Sequence, residues 1–128
     1  MKNKIFLCSL LFIFLVACTK ADDKQTIEGK WNLVHAFGSI AGISKEYPSG
    51  SITYDFKNGT LTVVNDYMGI FNAGLPTDTY NYLVLQNKKG GDELIVNHSY
   101  HASIINVSKD SLVLGEHYID GYGFVLVK

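Results

Sequence analysis

From Glu28 onward the apolar residues fall at every second position, not at every third or fourth. Trp31, Leu33, His35 and Phe37 alternate with Lys30, Asn32, Val34 and Ala36. Ile52, Tyr54 and Phe56 alternate with Ser51, Thr53, Asp55 and Lys57, and Leu61 and Val63 with Thr60 and Thr62. Period two marks strands with one face buried. It predicts eight of them, at 29–37, 50–57, 60–66, 78–86, 92–97, 99–107, 111–118 and 122–127.

The turn residues agree with that division. Asn58-Gly59 is the strongest short hairpin signal, because a type I′ turn needs positive φ at both central positions. It would set Phe56 opposite Leu61 and Tyr54 opposite Val63, aligning two apolar faces. Asp120-Gly121 reads as a second such turn, and Gly90-Gly91 and Ser108-Lys109-Asp110 punctuate the remaining runs. Hairpins between sequence neighbours throughout predict an all-β domain, an eight-stranded antiparallel up-and-down barrel, which also removes sheet edges. A β-sandwich is the alternative.

Residues 1–27 follow a different pattern. Met1-Lys-Asn-Lys4 is a basic start, and Ile5 to Ala17 form a 13-residue apolar run. That run is shorter than the about 20 residues a spanning helix needs, so it reads as an export signal. It ends in Leu15-Val16-Ala17-Cys18, which resembles the lipobox of bacterial lipoproteins. The resemblance implies cleavage before Cys18, lipidation of its thiol and anchoring to a membrane. The domain boundaries are then 1–17 for the signal, 18–27 for the lipidated N-terminus and tether, and 28–128 for the barrel. Thr19-Lys-Ala-Asp-Asp-Lys24 resembles the post-cysteine signals of surface lipoproteins in Bacteroidota, which implies an exported protein at the outer membrane or cell surface.

Gly29-Lys30-Trp31 opens the first barrel strand and resembles the Gly-X-Trp motif of lipocalins. With the apolar last strand Gly123-Phe-Val-Leu-Val127, the region from Glu28 to Lys128 is similar to small lipocalin-like lipoprotein domains of Bacteroidota. The resemblance implies that Gly29 and Trp31 form a structural barrel floor. The chain is shorter than a full lipocalin and lacks the Thr-Asp-Tyr motif where it is expected.

In such a barrel the connections alternate between ends. Those at the Trp31 end are tight and polar. At the other end, Gly38–Ser49 and Tyr67–Thr77 are long and apolar. Long loops of this kind are usually functional. The expected ligand site is therefore an open mouth lined by Ile43, Tyr47, Tyr67, Met68 and Phe71, with Tyr54 and His35 pointing inward. The ligand would be small and apolar or amphipathic. The alternative is a filled barrel that acts as an interaction, accessory or inhibitor module for an envelope protein. Thr19 to Ile27 reach at most about 30 Å when extended, so the Trp31 end should face the membrane and the long loops should face away.

Composition narrows the function further. The chain has no Arg, so the planar fork that grips phosphates and guanine edges is missing and nucleic acid is not an expected partner. Without Lys2 and Lys4, 9 lysines stand against 12 acidic residues, a net charge of −3. Cys8 leaves with the signal and Cys18 carries lipid, so no disulfide is expected. No nucleophile elbow, phosphate loop or His-Glu-X-X-His motif is present, and neither enzyme activity nor a cofactor is expected. His98, His101 and His117 invite a metal. A regular two-residue turn at Lys109-Asp110, however, would put His101 and His117 on opposite faces; a bulge could bring two together. No metal site is expected, and the oligomeric state is left open.

Overall fold

The computed structural model describes residues 26–118 and 120–128. The expected export signal, the expected lipidation site Cys18 and the expected tether up to Gln25 lie outside the described residues.

Nine strands form in these residues: β1 (Gly29–Gly38), β2 (Ile43–Glu46), β3 (Ile52–Lys57), β4 (Thr60–Asn65), β5 (Asp78–Leu85), β6 (Glu93–Val96), β7 (Tyr100–Val107), β8 (Ser111–Glu116) and β9 (Tyr122–Val127). β1 pairs with β3, each later strand pairs antiparallel with the next, and β9 returns to β1. The ring is a closed eight-stranded up-and-down barrel, as the hairpin spacing predicts. The β9–β1 ladder, from Asn32↔Val127 to Gly38↔Tyr122, excludes the sandwich, whose two sheets would each keep free edges.

The ninth strand, β2, lies in a segment expected to be a loop. β1 is long enough to hold β3 along its first half (Gly29↔Phe56) and β2 along its second (Gly38↔Ile43). The expected loop Gly38–Ser49 is therefore mostly a hairpin, closed by Gly42 N donating to Ser39 O at 3.0 Å. Between β2 and β3 the chain loops out, and Ser51 N donates to Pro48 O at 3.1 Å.

Turn chemistry holds in part. Asn58 (φ 50°) and Gly59 (φ 76°) make the type I′ turn, and Phe56↔Leu61 and Tyr54↔Val63 pair as expected. Asn97 (φ 49°) and His98 (φ 60°) make another between β6 and β7, with Ser99 N on Val96 O at 3.1 Å. Asn and His tolerate the left-handed region better than most side chains. Gly121 instead closes a turn onto Tyr118 O at 2.9 Å without positive φ.

The inward faces fill the barrel. Trp31, Leu33, Ile52, Phe56, Leu61, Leu94, Leu112 and Leu126 are all buried. The Phe56 and Tyr82 rings meet edge-on with centroids 5.1 Å apart. A space inside the barrel wall, between Leu33, Tyr54, Leu94, Tyr100 and Phe124, has a volume of about 10 Å³. That is room for one water molecule at most.

Two bulges change which residues point inward. One at Val34 shifts the β1–β9 register between Leu33 and His35. Ala36 therefore faces the core, while His35 and Phe37 face out, contrary to the alternation read from sequence. The other, at Ile105, shifts β7 against β8. An inserted residue reverses the parity of everything after it.

Candidate functional site

The end expected to be an open mouth is closed. Residues 66–77 fold back over the barrel top and are held by side chains from the wall. The Asn65 amide donates to Asn72 Oδ1 at 3.0 Å and to Leu75 O at 2.9 Å, and its oxygen accepts from Asn72 Nδ2 at 2.9 Å. Leu75 N donates to the buried Tyr54 hydroxyl at 2.8 Å, and Ala73 N donates to Tyr47 Oη at 3.1 Å. Gly74 lies so close to Ile52 that a Cβ there would stand 3.1 Å from Ile52 Cγ2. The lid is thus bonded to the wall and packed on it, and Leu75 lines the small interior space.

The expected mouth residues consequently do not share a cavity. Tyr47 and Tyr54 are buried structural groups under the lid. Tyr67 packs edge-on against Tyr47 at 4.9 Å, and Phe71 packs against Tyr122 at 5.6 Å. Met68 is fully solvent-exposed, with Ile70 beside it. Ile43 is half-buried in β2. His35 does not point inward: its Nε2 lies 2.8 Å from Ser44 Oγ on the outer face, a consequence of the Val34 bulge. Removing the Asn65 side chain should loosen the lid selectively. Asn65→Ala is expected to cost about 1–3 kcal/mol. Hydrogen exchange should quicken in residues 67–77 and stay unchanged in β7.

Beneath the lid a polar group was missed by the alternation. Glu116 follows Leu112 and Leu114 on the inward parity of β8, and its carboxylate accepts from Tyr122 N at 3.0 Å. It lies against Tyr100. Burial first, and the negative charge of Glu116 second, push the Tyr100 phenol well above its ordinary range. Tyr54 is pushed up in the same way, mainly by burial.

The space of ligand size lies at the opposite end, under the floor. Trp31 is fully buried there, and its indole donates to Ile27 O at 2.7 Å. Lys128 Nζ stands 4.7 Å from the ring centroid on its other side. Gly29, at φ +118°, adopts a backbone that side chains rarely take, so the Gly-X-Trp spacing has a conformational reason. Gly29 and Trp31 are therefore structural groups at this end of the barrel. Across the barrel from Trp31 the floor is notched. β4 pairs with β5 only from Thr60↔Asn81 to Val63↔Asp78, and Tyr82 N donates to Gly59 O at 2.9 Å. Beyond that point β5 runs on beside β6 alone. The result is a cleft of about 400 Å³ among Thr26, Ile27, Glu28, Tyr82, Val84, Gln86, Asp92, Ile104 and Val107.

Its walls are mostly apolar, and Glu28 and Asp92 add carboxylates to the lining. Glu28 Oε1 accepts from the Tyr82 hydroxyl at 2.7 Å, and the same carboxylate takes Asn58 N at 3.3 Å. Burial, then Glu28, pushes the Tyr82 phenol up to about 12. None of these cleft residues was among the expected ligand-site residues. The available signal was the mismatch between a seven-residue strand at 60–66, whose start is fixed by the two-residue turn Asn58-Gly59, and a nine-residue one at 78–86.

The Ile105 bulge also brings two histidines onto one outer patch. His101 Nδ1 lies 2.7 Å from Glu93 Oε1, His117 Nδ1 lies 3.8 Å from the same oxygen, and His117 Nε2 lies 2.6 Å from Ser103 Oγ. His98 sits in the β6–β7 turn away from them. Among the described residues no group of three or more His, Cys, Asp or Glu is arranged to hold a metal ion. The cluster ties β6, β7 and β8 together at the surface, where such pairs contribute little stability. Comparison with known proteins returned no family model, curated protein or solved structure that matches the chain.

Proposed function

We propose that this is a lipid-anchored envelope lipoprotein whose lipocalin-like barrel binds one small apolar or amphipathic molecule at its floor instead of its mouth. The observation that carries this reading is the contrast in free space. About 10 Å³ remains inside the wall, against about 400 Å³ in the floor cleft. Small-molecule sites occupy roughly 300–1,000 Å³, are mostly apolar, and carry a few polar groups that orient the ligand. The floor cleft fits that description, and the closed top does not. Leu15-Val16-Ala17-Cys18 supports the anchor and the exported location.

Native mass spectrometry of the full chain purified from its own host tests both parts. The expected covalent mass is that of a chain beginning at Cys18 with its acyl groups. Cys18→Ala should leave an unlipidated chain that carries one small non-covalent adduct, lost when Val107→Trp fills the cleft. An unmodified Cys18 in the wild type would remove the anchor, and a Cys18→Ala spectrum with no adduct would remove the ligand.

The second reading is a filled-barrel interaction module. It is favoured by Ile40, Met68 and Ile70, which are 83%, 95% and 109% exposed on the loops of the lid end. Apolar tips held out on a braced lid suit contact with an envelope protein. The absence of an adduct, combined with loss of partner binding in Met68→Asp, would establish it over the first.

A further inference from the structure

The floor cleft lies at the point where the described chain begins: Thr26 and Ile27 form part of its wall. Cys18 is eight residues upstream, a span of at most about 28 Å in extended chain. An acyl chain carried on Cys18 is therefore tethered within reach of the cleft, and tethering raises its local concentration far above that of a free molecule.

The chemistry of the lining selects among apolar ligands. The inward surface is aliphatic, from Ile27, Val84, Ile104 and Val107. Glu28 and Asp92 add carboxylates to the lining, and no Lys is among the lining residues. The carboxylate of a free fatty acid, or a phospholipid phosphate, would stand beside like charge here. An acyl group joined to the protein through Cys18 brings no anionic end. The volume is near the lower limit for small-molecule sites, which suits one chain and not a two-chain lipid.

We infer that the floor cleft takes a single unbranched acyl chain, one of those carried on Cys18. The inference rests on the lipid-anchored reading above. The chain lies along Val84, Ile104 and Val107 with its linked end toward Thr26. Docking of one chain shortens the tether and holds the floor of the barrel down on the membrane surface, while the other chains remain in the bilayer. The lid end then faces away from the membrane.

Cells grown with an alkyne fatty acid carrying a terminal diazirine provide the test, on the full-length protein in its own membrane. After irradiation and digestion, the expected product joins the Cys18 lipopeptide to a peptide containing Tyr82–Gln86 or Ile104–Val107. Its yield should fall by roughly tenfold in Val107→Trp, whose ring fills the cleft. The wild-type result stands without that variant. Cleft peptides crosslinked to a free lipid mass would overturn the source of the chain. Label confined to Cys18, with none in the cleft, would overturn the docking and leave the anchor intact. A wild-type protein with no label at all would instead overturn the anchor on which the inference rests.

Discussion

Trp31→Ala is expected to lower the stability of the domain by about 3–5 kcal/mol. The indole is fully buried, and its removal leaves a cavity between β1, β3 and the N-terminal segment. It also strips Ile27 O of its 2.7 Å donor and the Lys128 ammonium of the ring face 4.7 Å away. Small domains hold about 5–15 kcal/mol in total, so the variant should be partly unfolded at moderate temperature. Trp31→Phe keeps most of the apolar contact and loses only the hydrogen bond, so it should cost less. Urea unfolding of both variants, with exposed Tyr118→Ala as the control, checks the ranking. A midpoint for Trp31→Ala equal to that of the control would show that the floor does not depend on this residue.

The second large effect is alkaline unfolding. Burial holds the phenols of Tyr54 and Tyr100 well above their ordinary value, and Tyr82 is pushed up to about 12. Above pH about 10 the unfolded chain loses these protons while the folded chain keeps them. The unfolded state then binds fewer protons than the native one, so stability falls as pH rises. It is fully present below pH about 10 and is lost through the folded values, beginning for Tyr82 between about 10 and 12. The negative charge of Glu116 steepens the effect at Tyr100, because ionisation there would set two charges together under the lid. Chemical denaturation between pH 8 and 11.5 should show the decline, and Tyr100→Phe should flatten it. Tyrosinate absorbance should show the buried phenols ionising only as the fold is lost. Simultaneous titration of all eight tyrosines near pH 10 with the fold intact would contradict this account.

The alternation of apolar and polar residues determined the eight strands of the ring and their order of pairing. Leu61 and Val63 have no way to bury except on one face of a strand, and Asn58-Gly59 specifies the turn that aligns them with Phe56 and Tyr54. Those are local rules, and they are legible because the side-chain period of a strand is two. The approximate limits of eight strands and the closed barrel follow from them.

The candidate site was decided by features that are not local. Whether Val34 bulges depends on how β1 meets β9, ninety residues away in the chain, and that bulge turns His35 out of the barrel. The Ile105 bulge likewise sets His101 and His117 around one carboxylate, where uninterrupted alternation would have parted them. Residues 67–77 read as part of an open mouth from their length and apolar content. They became a lid because Asn65, Tyr47 and Tyr54, distant in sequence, present partners for its backbone and side chains. The cleft arises from a difference in length between neighbouring hairpins, which leaves space only once the ring is closed. Composition along the chain selects which faces are buried; register and closure, set by contacts between distant strands, select where space is left over.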